Sequence, residues 1–478
     1  MSIHLANVPR KTLSTFNLVM INIIAMDTLR TLPFSAKYGF STVFFYLLGA
    51  LLFFLPIALI SAELATGWPN TGGLYVWVKE AFGKKWAFFI IWLQWIYNVV
   101  WYPAILSFIA VAMVYFVDPE LAQNKWFMLV TVLSLIWLTT LVNCFGMRFS
   151  GMISTVGAIL GSIFPMLLII ILACIWLIQG HPSHMEVSVV RFFPDSVDIS
   201  NLAFFTVIIF GLIGIEMSAA HAEEVKNPRR DYPRAMLISA TIIVISLILS
   251  SIAIAVVVPR EELGLASGLI QAFAIFFDTY NITWMKPIIA VLIVLGEFAC
   301  VSAWVIGPTK GLWAASAEGS IPASLQRLNK HFVPIPILIL QAVIVTLVCS
   351  VFLLMPSVNS SYWLLSALTA QLALLAYIGL FAASVKLRDQ PSPQPRGFHI
   401  PGGKWGTRIL AGVGITTCVT GIVIGFIPPK DVQVGNIFIY ESLLIGGIIL
   451  FCLPPIVLNY IAKPEWKRTT LKIEDSII

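Results

Sequence analysis

Four ionisable side chains lie inside long apolar stretches of the sequence, where a charge is unfavourable unless it is paired or functional. Asp27 and Arg30 lie in the stretch NLVMINIIAMDTLRTLPFSAKYGF, and Glu216 lies in a later apolar stretch that also contains glycines. Glu297 lies in a third stretch, VLGEFACVSAWVIGPTKG. In a lipid environment such residues face protein or water, and they mark places that bind ions, protons or polar ligands. These side chains therefore predict a polar binding site inside an apolar molecule.

Helix-breaking residues accompany two of these groups. Pro33 follows Arg30 closely, and a proline removes a backbone donor and disfavours a helical conformation just before it. Gly211 and Gly214 precede Glu216 within the same apolar stretch. Secondary transporters bind substrate near the middle of the membrane at helices interrupted in this way. The spacing therefore predicts two broken helices with a substrate site between them.

The composition is that of a membrane protein. Apolar residues make up 59% of the 478 residues and charged residues 11%, whereas a soluble domain is about half apolar and about 25% charged. The apolar runs are long and continuous, unlike the short alternating segments of a membrane β-barrel. The six cysteines lie in or beside these runs and form no CxxC pair, so neither a disulfide framework nor a zinc site is expected. The predicted fold class is all-α and polytopic.

About 20 consecutive apolar residues cross a bilayer as one helix. Twelve runs of that length predict twelve spans, near residues 15–36, 40–66, 86–117, 126–144, 152–178, 199–220, 234–258, 285–312, 334–355, 362–386, 407–427 and 437–462. The joining loops are short, which indicates one membrane domain. Its expected parts are a cytoplasmic N-terminus (1–14), a ten-helix transport core (15–386), a cytoplasmic loop (387–406), helices 11 and 12 (407–462) and a short cytoplasmic tail (463–478).

The distribution of basic residues predicts the orientation of the spans. If the N-terminus lies inside, 22 Lys and Arg residues lie in inner segments and six in outer segments, with Arg30 inside a span. Cytoplasmic loops of membrane proteins carry such an excess, so both termini are expected in the cytoplasm. Because the net charge of +6 follows this pattern, it indicates no anionic partner such as nucleic acid.

Two segments that are too short or too mixed to cross the membrane occupy equivalent places. Residues 67–83 follow the second span on the inner side, and residues 262–277 follow the seventh span on the outer side. An offset of five spans with opposite sidedness is typical of inverted repeats. The placement predicts that spans 1–5 and 6–10 are the two repeats and that spans 11 and 12 are an addition.

Each candidate group also has a purely structural interpretation. Asp27 and Arg30 could pair only with each other, and Glu216 could cap backbone donors that the helix break leaves free. Glu63, at the end of the second span, is better explained by hydrogen bonds to loop amides than by transport. His221 is likewise better explained as a structural histidine.

Motifs of catalysis and nucleotide binding are absent. The sequence contains no GxxxxGK[ST], HEXXH or GxSxG pattern. We therefore expect no enzymatic activity, no cofactor and no metal, and transport energy would come from a gradient.

Four segments carry a resemblance to a known family. They are FFLPIALISAELATGWPNTGGLYVWVKEAFG (53–83), GIEMSAAHAEEVKNPRRDYPRAM (214–236), WVIGPTKG (304–311) and FHIPGGK (398–404). Nearly the whole chain resembles the amino acid–polyamine–organocation transporter superfamily and is most similar to the bacterial glutamate–γ-aminobutyrate antiporter family. This resemblance implies a LeuT-type fold in the bacterial cytoplasmic (inner) membrane. It also implies a substrate site between the broken spans 1 and 6 and spans 3, 8 and 10.

The resemblance also points to individual residues. Glu216 matches the acid of the family's span 6 motif, and Tyr377 matches a span 10 tyrosine near the transport path. A family tyrosine before the span 1 proline is replaced here by Arg30. A family glutamate in span 8 falls at Cys300, with an acid one turn earlier at Glu297. The candidate substrate-binding residues are Ile24, Asp27, Arg30, Thr31, Gly211, Gly214, Glu216, Glu297, Cys300 and Tyr377, and the candidates for proton coupling are Glu216 and Glu297.

The expected function is secondary active transport of an amino acid, as an exchanger that works by alternating access. The α-carboxylate would meet backbone N–H groups at the break of span 1, where a half-helix N-terminus is partly positive. The α-amino group would meet carbonyl oxygens of residues 211–215. The transported amino acid, sodium dependence and oligomeric state stay open. A proton-coupled importer (a symporter) and a substrate sensor with a transporter fold are the alternatives.

Overall fold

The computed structural model describes residues 13–26, 28–68, 73–145, 157, 159–194, 199–216, 218, 225–393 and 395–467. Within these ranges the chain is α-helical, and its β-structure is one isolated bridge between Leu13 and Val225. Ten of the described helices are long and apolar enough to cross a membrane, and a bent pair of helices adds an eleventh. The structure therefore confirms an all-α polytopic fold.

Helices occupy all twelve predicted positions. In chain order, spans 1–12 are Thr15–Met26 with Leu29–Ala36, Gly39–Gly67, Lys84–Val114, Lys125–Asn143, Ile159–Ile178, Ile199–Gly211, Pro228–Val257, Met285–Glu318, Ile335–Leu354, Val358–Arg388, Gly403–Ile424 and Ile437–Ile461. The sixth is only 13 residues long. We call the face at which span 1 begins the inner face and the opposite face the outer face.

Spans 1 and 6 are interrupted as predicted. The two helices of span 1 meet at an angle of 43°, and Thr28 between them has an extended backbone (φ −108°, ψ 126°). Span 6 stops being helical after Gly211. Gly214 then has a φ of +124°, which side-chain-bearing residues rarely adopt. The interruptions lie side by side, because a Cβ on Gly211 would lie 3.5 Å from Thr31 Oγ1.

The two segments predicted to lie outside the spans form short helices. They are Leu74–Phe82 after span 2 and Gly268–Thr279 after span 7. The outer one packs on the broken span, since a Cβ on Gly268 would lie 3.0 Å from Pro33 Cβ. This matched pair is consistent with inverted repeats, which stay a prediction.

Span 3 is the centre of the helix packing. It is almost entirely buried, and spans 8 and 10 pack along it. Spans 1, 2 and 7 form a second group, in which span 7 packs on both of the others and also on span 5. Hydrogen bonds join span 1 to span 7 from Asn22 Nδ2 to Ser239 Oγ (3.0 Å) and from Thr15 Oγ1 to Asp231 Oδ1 (3.0 Å). Two groups of helices therefore face each other across the interrupted segments.

Spans 5 and 8 touch backbone to backbone through glycines. A Cβ on Gly161 would lie 2.2 Å from Gly296 Cα, and a Cβ on Gly157 would lie 2.5 Å from Ala299 Cβ. Small residues at four-residue spacing let membrane helices approach this closely. The contact lies in a π-helical turn, Ile159–Ile163, and such turns are frequent at functional sites.

Replacing Gly161 by alanine tests the importance of this contact. The methyl group has no room, and overpacking of this kind costs about 1–3 kcal/mol. We expect Gly161→Ala to lower the melting temperature of the purified protein. Gly307→Ala is the matched control in span 8, because a Cβ there meets nothing within 4 Å. Equal melting temperatures for the two variants would contradict the assignment of a tight contact.

Candidate functional site

A central cavity lies where the interrupted helices meet. It contains about 580 Å³ of empty space, of which about 60 Å³ admits the centre of a water molecule. Cavities that bind small molecules in proteins measure about 300–1,000 Å³, so the empty space is large enough for one small organic molecule. Its wall is formed by spans 1, 3, 5, 6 and 8.

The wall includes five of the ten residues proposed from the sequence: Ile24, Arg30, Gly211, Glu297 and Cys300. Asp27 lies outside the described residues. Thr31 contacts the wall at Gly211. Gly214 packs on the wall residue Met26, because a Cβ added to Gly214 would lie 3.4 Å from Met26 Cγ.

Several polar atoms in the wall have no hydrogen-bond partner among the described residues. Within the described part of the chain, four buried atoms of wall residues have no hydrogen-bond partner: Thr28 Oγ1, Arg30 Nε, Trp101 Nε1 and Glu297 Oε1. Buried polar atoms are almost always paired, and each exception needs an explanation. Two of these atoms are donors and one belongs to a carboxylate, so together they fit a ligand with both an anionic and a cationic group.

Arg30 is held in place by aromatic and polar neighbours. Its guanidinium carbon lies 5.5 Å from the ring centre of Trp101 and 5.4 Å from that of Phe210. A weak hydrogen bond joins Nη1 to Ser366 Oγ (3.5 Å), and Tyr362 donates to the carbonyl of Arg30 (3.1 Å). The side chain is 1% exposed, and no carboxylate oxygen of the described residues lies within 4.0 Å of it. Arg30 is therefore a fixed cation without a close countercharge in the described structure.

Glu297 lies on span 8 beside the glycine contact. It is 1% exposed, and it attracts Arg30 electrostatically without an ion pair within 4.0 Å. Cys300 follows one turn later in the same wall. The cavity thus has a cation on span 1 and an acid on span 8, separated by more than the distance of a salt bridge.

Aromatic rings cover the outer side of this pair. Phe34 stacks on Tyr362 with ring centres 5.5 Å apart, and Phe204 meets Trp363 edge-on at 5.4 Å. Trp363 is fixed by a hydrogen bond to Tyr440 Oη (2.9 Å). These rings come from spans 1, 6 and 10, so their packing depends on the relative positions of those spans.

A second polar group lies beside the cavity. Glu216 accepts a hydrogen bond from Tyr377, while its Oε2 atom has no partner in the described structure. Neither residue lines the cavity. Tyr97, which does line it, lies close enough to Glu216 to interact with its charge. Glu216 is therefore one layer away from the central cavity.

Sequence reasoning missed ten of the fifteen described wall residues, and four of these ten are polar or aromatic residues of interest. Thr28, Trp101 and Ser162 line the cavity, but tryptophans and hydroxyl residues are common in apolar helices and no pattern distinguishes these. Phe210 was also missed, although it directly precedes the first glycine of the span 6 break. His221 lies outside the described residues.

Comparison with known proteins identifies the family. The family model described as amino acid permease matches residues 12–450. The chain belongs to the amino acid permease family. This permease is 52% identical over 449 residues to an uncharacterized transporter of Legionella pneumophila, covering 94% of this chain and 97% of that one.

Two relatives of the permease have functional names. A glutamate/gamma-aminobutyrate antiporter of Lactococcus lactis is 30% identical over 455 residues, covering 94% of this chain and 90% of the relative. A probable agmatine/putrescine antiporter of the same species is 25% identical over 434 residues, covering 89% and 90%. The matches confirm the resemblance to the amino acid–polyamine–organocation superfamily, and these relatives are transporters rather than enzymes.

Glu63 has the structural role that the sequence favoured. Its carboxylate, 5% exposed, pairs with Arg388 and with Arg396 (2.8 Å) and accepts a hydrogen bond from the N–H of Ile400 (3.0 Å). Arg396 also lies over the ring of Trp68, 5.1 Å from its centre. This network attaches the segment between spans 10 and 11 to the inner end of span 2 of the permease.

Removing the charge of Glu63 should destabilise the permease. Glu63→Gln leaves two largely buried guanidinium groups, 11% and 9% exposed, without their anion, and breaking a fully buried ion pair costs about 3–5 kcal/mol, which is the upper limit here. Glu318→Gln is the control, because that carboxylate also meets two cations on the same face, Lys79 and Lys84, but is 25% exposed. Exposed pairs contribute about 0–1 kcal/mol. A drop in melting temperature as small as that of the control would contradict a buried ion-pair network.

Proposed function

We propose that this permease exchanges one amino acid for another across the bacterial inner membrane, by alternating access and with both termini in the cytoplasm. The antiporter names of its relatives support exchange. The 22 basic residues on one side and six on the other support the orientation. The substrate site of the proposal is the central cavity.

The observation that carries the proposal is the set of unsatisfied atoms in the cavity wall. An amino acid brings a carboxylate and an ammonium group. The carboxylate can accept hydrogen bonds from Arg30 Nε and Trp101 Nε1, and the ammonium group can donate to Glu297 Oε1. One zwitterion therefore supplies a partner for three of the four wall atoms that the described residues leave unpaired.

Arg30 favours substrates with a second acidic or polar group. If the backbone at the break of span 1 holds the α-carboxylate, the guanidinium is free to bind the side chain of the substrate. Arginine recognises carboxylates well because its planar donors match their geometry. A dication such as agmatine or putrescine would instead meet a fixed positive charge, so we favour the glutamate-like substrates of one named relative over the polyamines of the other.

Alternating access in this proposal is a rocking of spans 1, 2, 6 and 7 against the remaining spans. The hydrogen bonds from Asn22 to Ser239 and from Thr15 to Asp231 keep spans 1 and 7 together. The aromatic layer of Phe34, Phe204 and Trp363 closes the outer side in the present conformation. Opening would separate these rings and expose the cavity.

Proton-coupled symport is the second candidate, favoured by the environment of Glu216. Its carboxylate is 3% exposed and has one oxygen without a described partner. A buried acid of this kind can carry a proton. Glu297 is the other candidate for proton coupling.

Counterflow in proteoliposomes distinguishes exchange from symport. Vesicles containing the purified permease are loaded with one unlabelled amino acid, and uptake of labelled glutamate, glutamine, arginine and neutral amino acids is followed at acidic and at neutral pH. Exchange predicts uptake only into loaded vesicles. If an imposed proton gradient drives uptake into empty vesicles, that result would contradict exchange and support symport. Lack of any amino acid uptake would contradict both.

Variants of Arg30 test its role in selecting the substrate. Loss of a charged hydrogen bond of about 1.5–3 kcal/mol predicts that Arg30→Met raises the KM for acidic amino acids about 10- to 100-fold. Neutral amino acids should be affected much less, and Arg30→Lys should restore part of the difference. Arg327→Met, at an exposed arginine of the inner face, is the control. An equal loss for acidic and neutral substrates would contradict a role in selectivity.

A further inference from the structure

A second cavity opens on the outer face, away from the central one. It contains about 790 Å³ of empty space, and it shares no wall residue with the central cavity. One part of its wall is residues 36–41, where span 1 ends and span 2 begins. The other parts are residues 184–193, between spans 5 and 6, and the end of span 7 with Arg260. Neither the proposed transport path nor the family relationship accounts for it.

The backbone gives this outer cavity a defined shape. Gly39, with a φ of +56°, turns the chain after span 1, and Ser41 Oγ closes the turn on the carbonyl of Tyr38 (2.8 Å). The opposite wall is docked on span 7 by the hydrogen bond from the N–H of His184 to the carbonyl of Val256 (2.9 Å). The cavity is therefore a built feature rather than a gap between loose loops.

Three cationic side chains line the cavity, and their pairing differs. Arg260 forms an ion pair with Asp431 (3.1 Å), and Arg191 forms one with Glu186 (3.1 Å). Lys37 has no such partner. Among the described residues no carboxylate oxygen lies within 4.0 Å of its Nζ atom.

Lys37 is also the most buried of the three. The residue is 4% exposed, and its Nζ donates to the carbonyl of Arg260 (2.6 Å). An ammonium group has three donors, so this bond leaves two of them for a ligand. Burial lowers the pKa of Lys37, although Asp431 and Glu261 oppose this from a distance. A buried cation without an ion pair is unfavourable unless an anion joins it.

We propose that the outer cavity binds a phosphate oxyanion, with Lys37 as its main ligand. The anion supplies the missing countercharge to Lys37, and His184 and Ser41 offer further polar contacts in the same wall. The oxyanion comes from the outer medium or from the headgroup of a phospholipid, since both present the same chemistry.

Thermal stabilisation by anions tests the site in the full-length protein. The permease is placed in phosphatidylcholine nanodiscs and titrated with inorganic phosphate, or it is placed in nanodiscs that also contain phosphatidylglycerol. We expect a saturable rise in melting temperature with one of the two anions. A rise with inorganic phosphate indicates that the anion comes from the outer medium, and a rise with phosphatidylglycerol indicates a lipid headgroup. Arg30→Met should keep this rise, which places it outside the central cavity.

Lys37→Gln should abolish the rise. Lys125→Gln should keep it, because Lys125 also lies on the outer face and donates to a backbone carbonyl, that of Met355 (3.1 Å), but does not line the cavity. The proposal is wrong if neither anion stabilises the wild type, or if Lys37→Gln responds as the wild type does.

Charged thiol reagents give a second measurement that does not require Lys37→Gln to fold. His184→Cys places a thiol in the cavity wall, and Gln123→Cys places one on the same face outside it. Intact-mass spectrometry follows modification by a sulfonate-bearing and by a trimethylammonium-bearing methanethiosulfonate. At His184→Cys the sulfonate-bearing reagent should react faster than the trimethylammonium-bearing reagent. The anion that stabilises the protein should slow the reaction of the sulfonate-bearing reagent. Equal rates for the two reagents, or no protection by the anion, would overturn the proposal.

Discussion

The central constraint on this structure is a guanidinium group held in an apolar interior without a close anion among the described residues. Arg30 is 1% exposed, and its described polar side-chain neighbours are two hydroxyl groups, those of Ser366 and Tyr362. Burying a charge without compensation is very unfavourable. The rings of Trp101 and Phe210 compensate in part, because a cation near an aromatic face is attracted by the ring. Among the described residues Glu297 and Tyr362 add electrostatic attraction, and in the proposed function the carboxylate of a bound substrate adds the rest.

The helices around the central cavity are tightly packed, whereas polar atoms in the cavity wall lack hydrogen-bond partners among the described residues. The frame is dense where spans 5 and 8 touch through Gly161 and Gly296, and it is fixed by buried ion pairs where Glu63 holds the segment after span 10. At the centre, by contrast, both helices are interrupted, and four buried side-chain atoms of the wall have no hydrogen-bond partner among the described residues. Polar groups that are rigidly placed before a ligand arrives lose little entropy on binding, which favours affinity.

The sequence predicted the fold well because each span is specified locally. Hydropathy over about 20 residues is enough to find a membrane helix, and Pro33 and Gly214 mark interruptions through their own backbone preferences. The site was harder to predict. Arg30 and Glu297 stand out as rare charges in apolar runs, but Trp101 and Thr28 become important only because helix packing brings them to the same cavity. Glu216 shows the opposite case: it matches a family motif, yet it lies one layer behind the wall, hydrogen-bonded to Tyr377.

The separation of Arg30 from Glu297 supplies a physical argument for the exchange that we propose. An empty cavity leaves a cation and an acid unpaired in a region of low dielectric constant, where charges interact strongly and solvation is poor. A bound amino acid offers its carboxylate to Arg30 and its ammonium group to Glu297, so in this proposal the loaded cavity is more favourable than the empty one. If the transition between conformations has to pass through a closed state without water, the empty carrier crosses slowly and the loaded carrier crosses readily. A carrier of that kind returns mainly with a second amino acid, which is the behaviour of an antiporter.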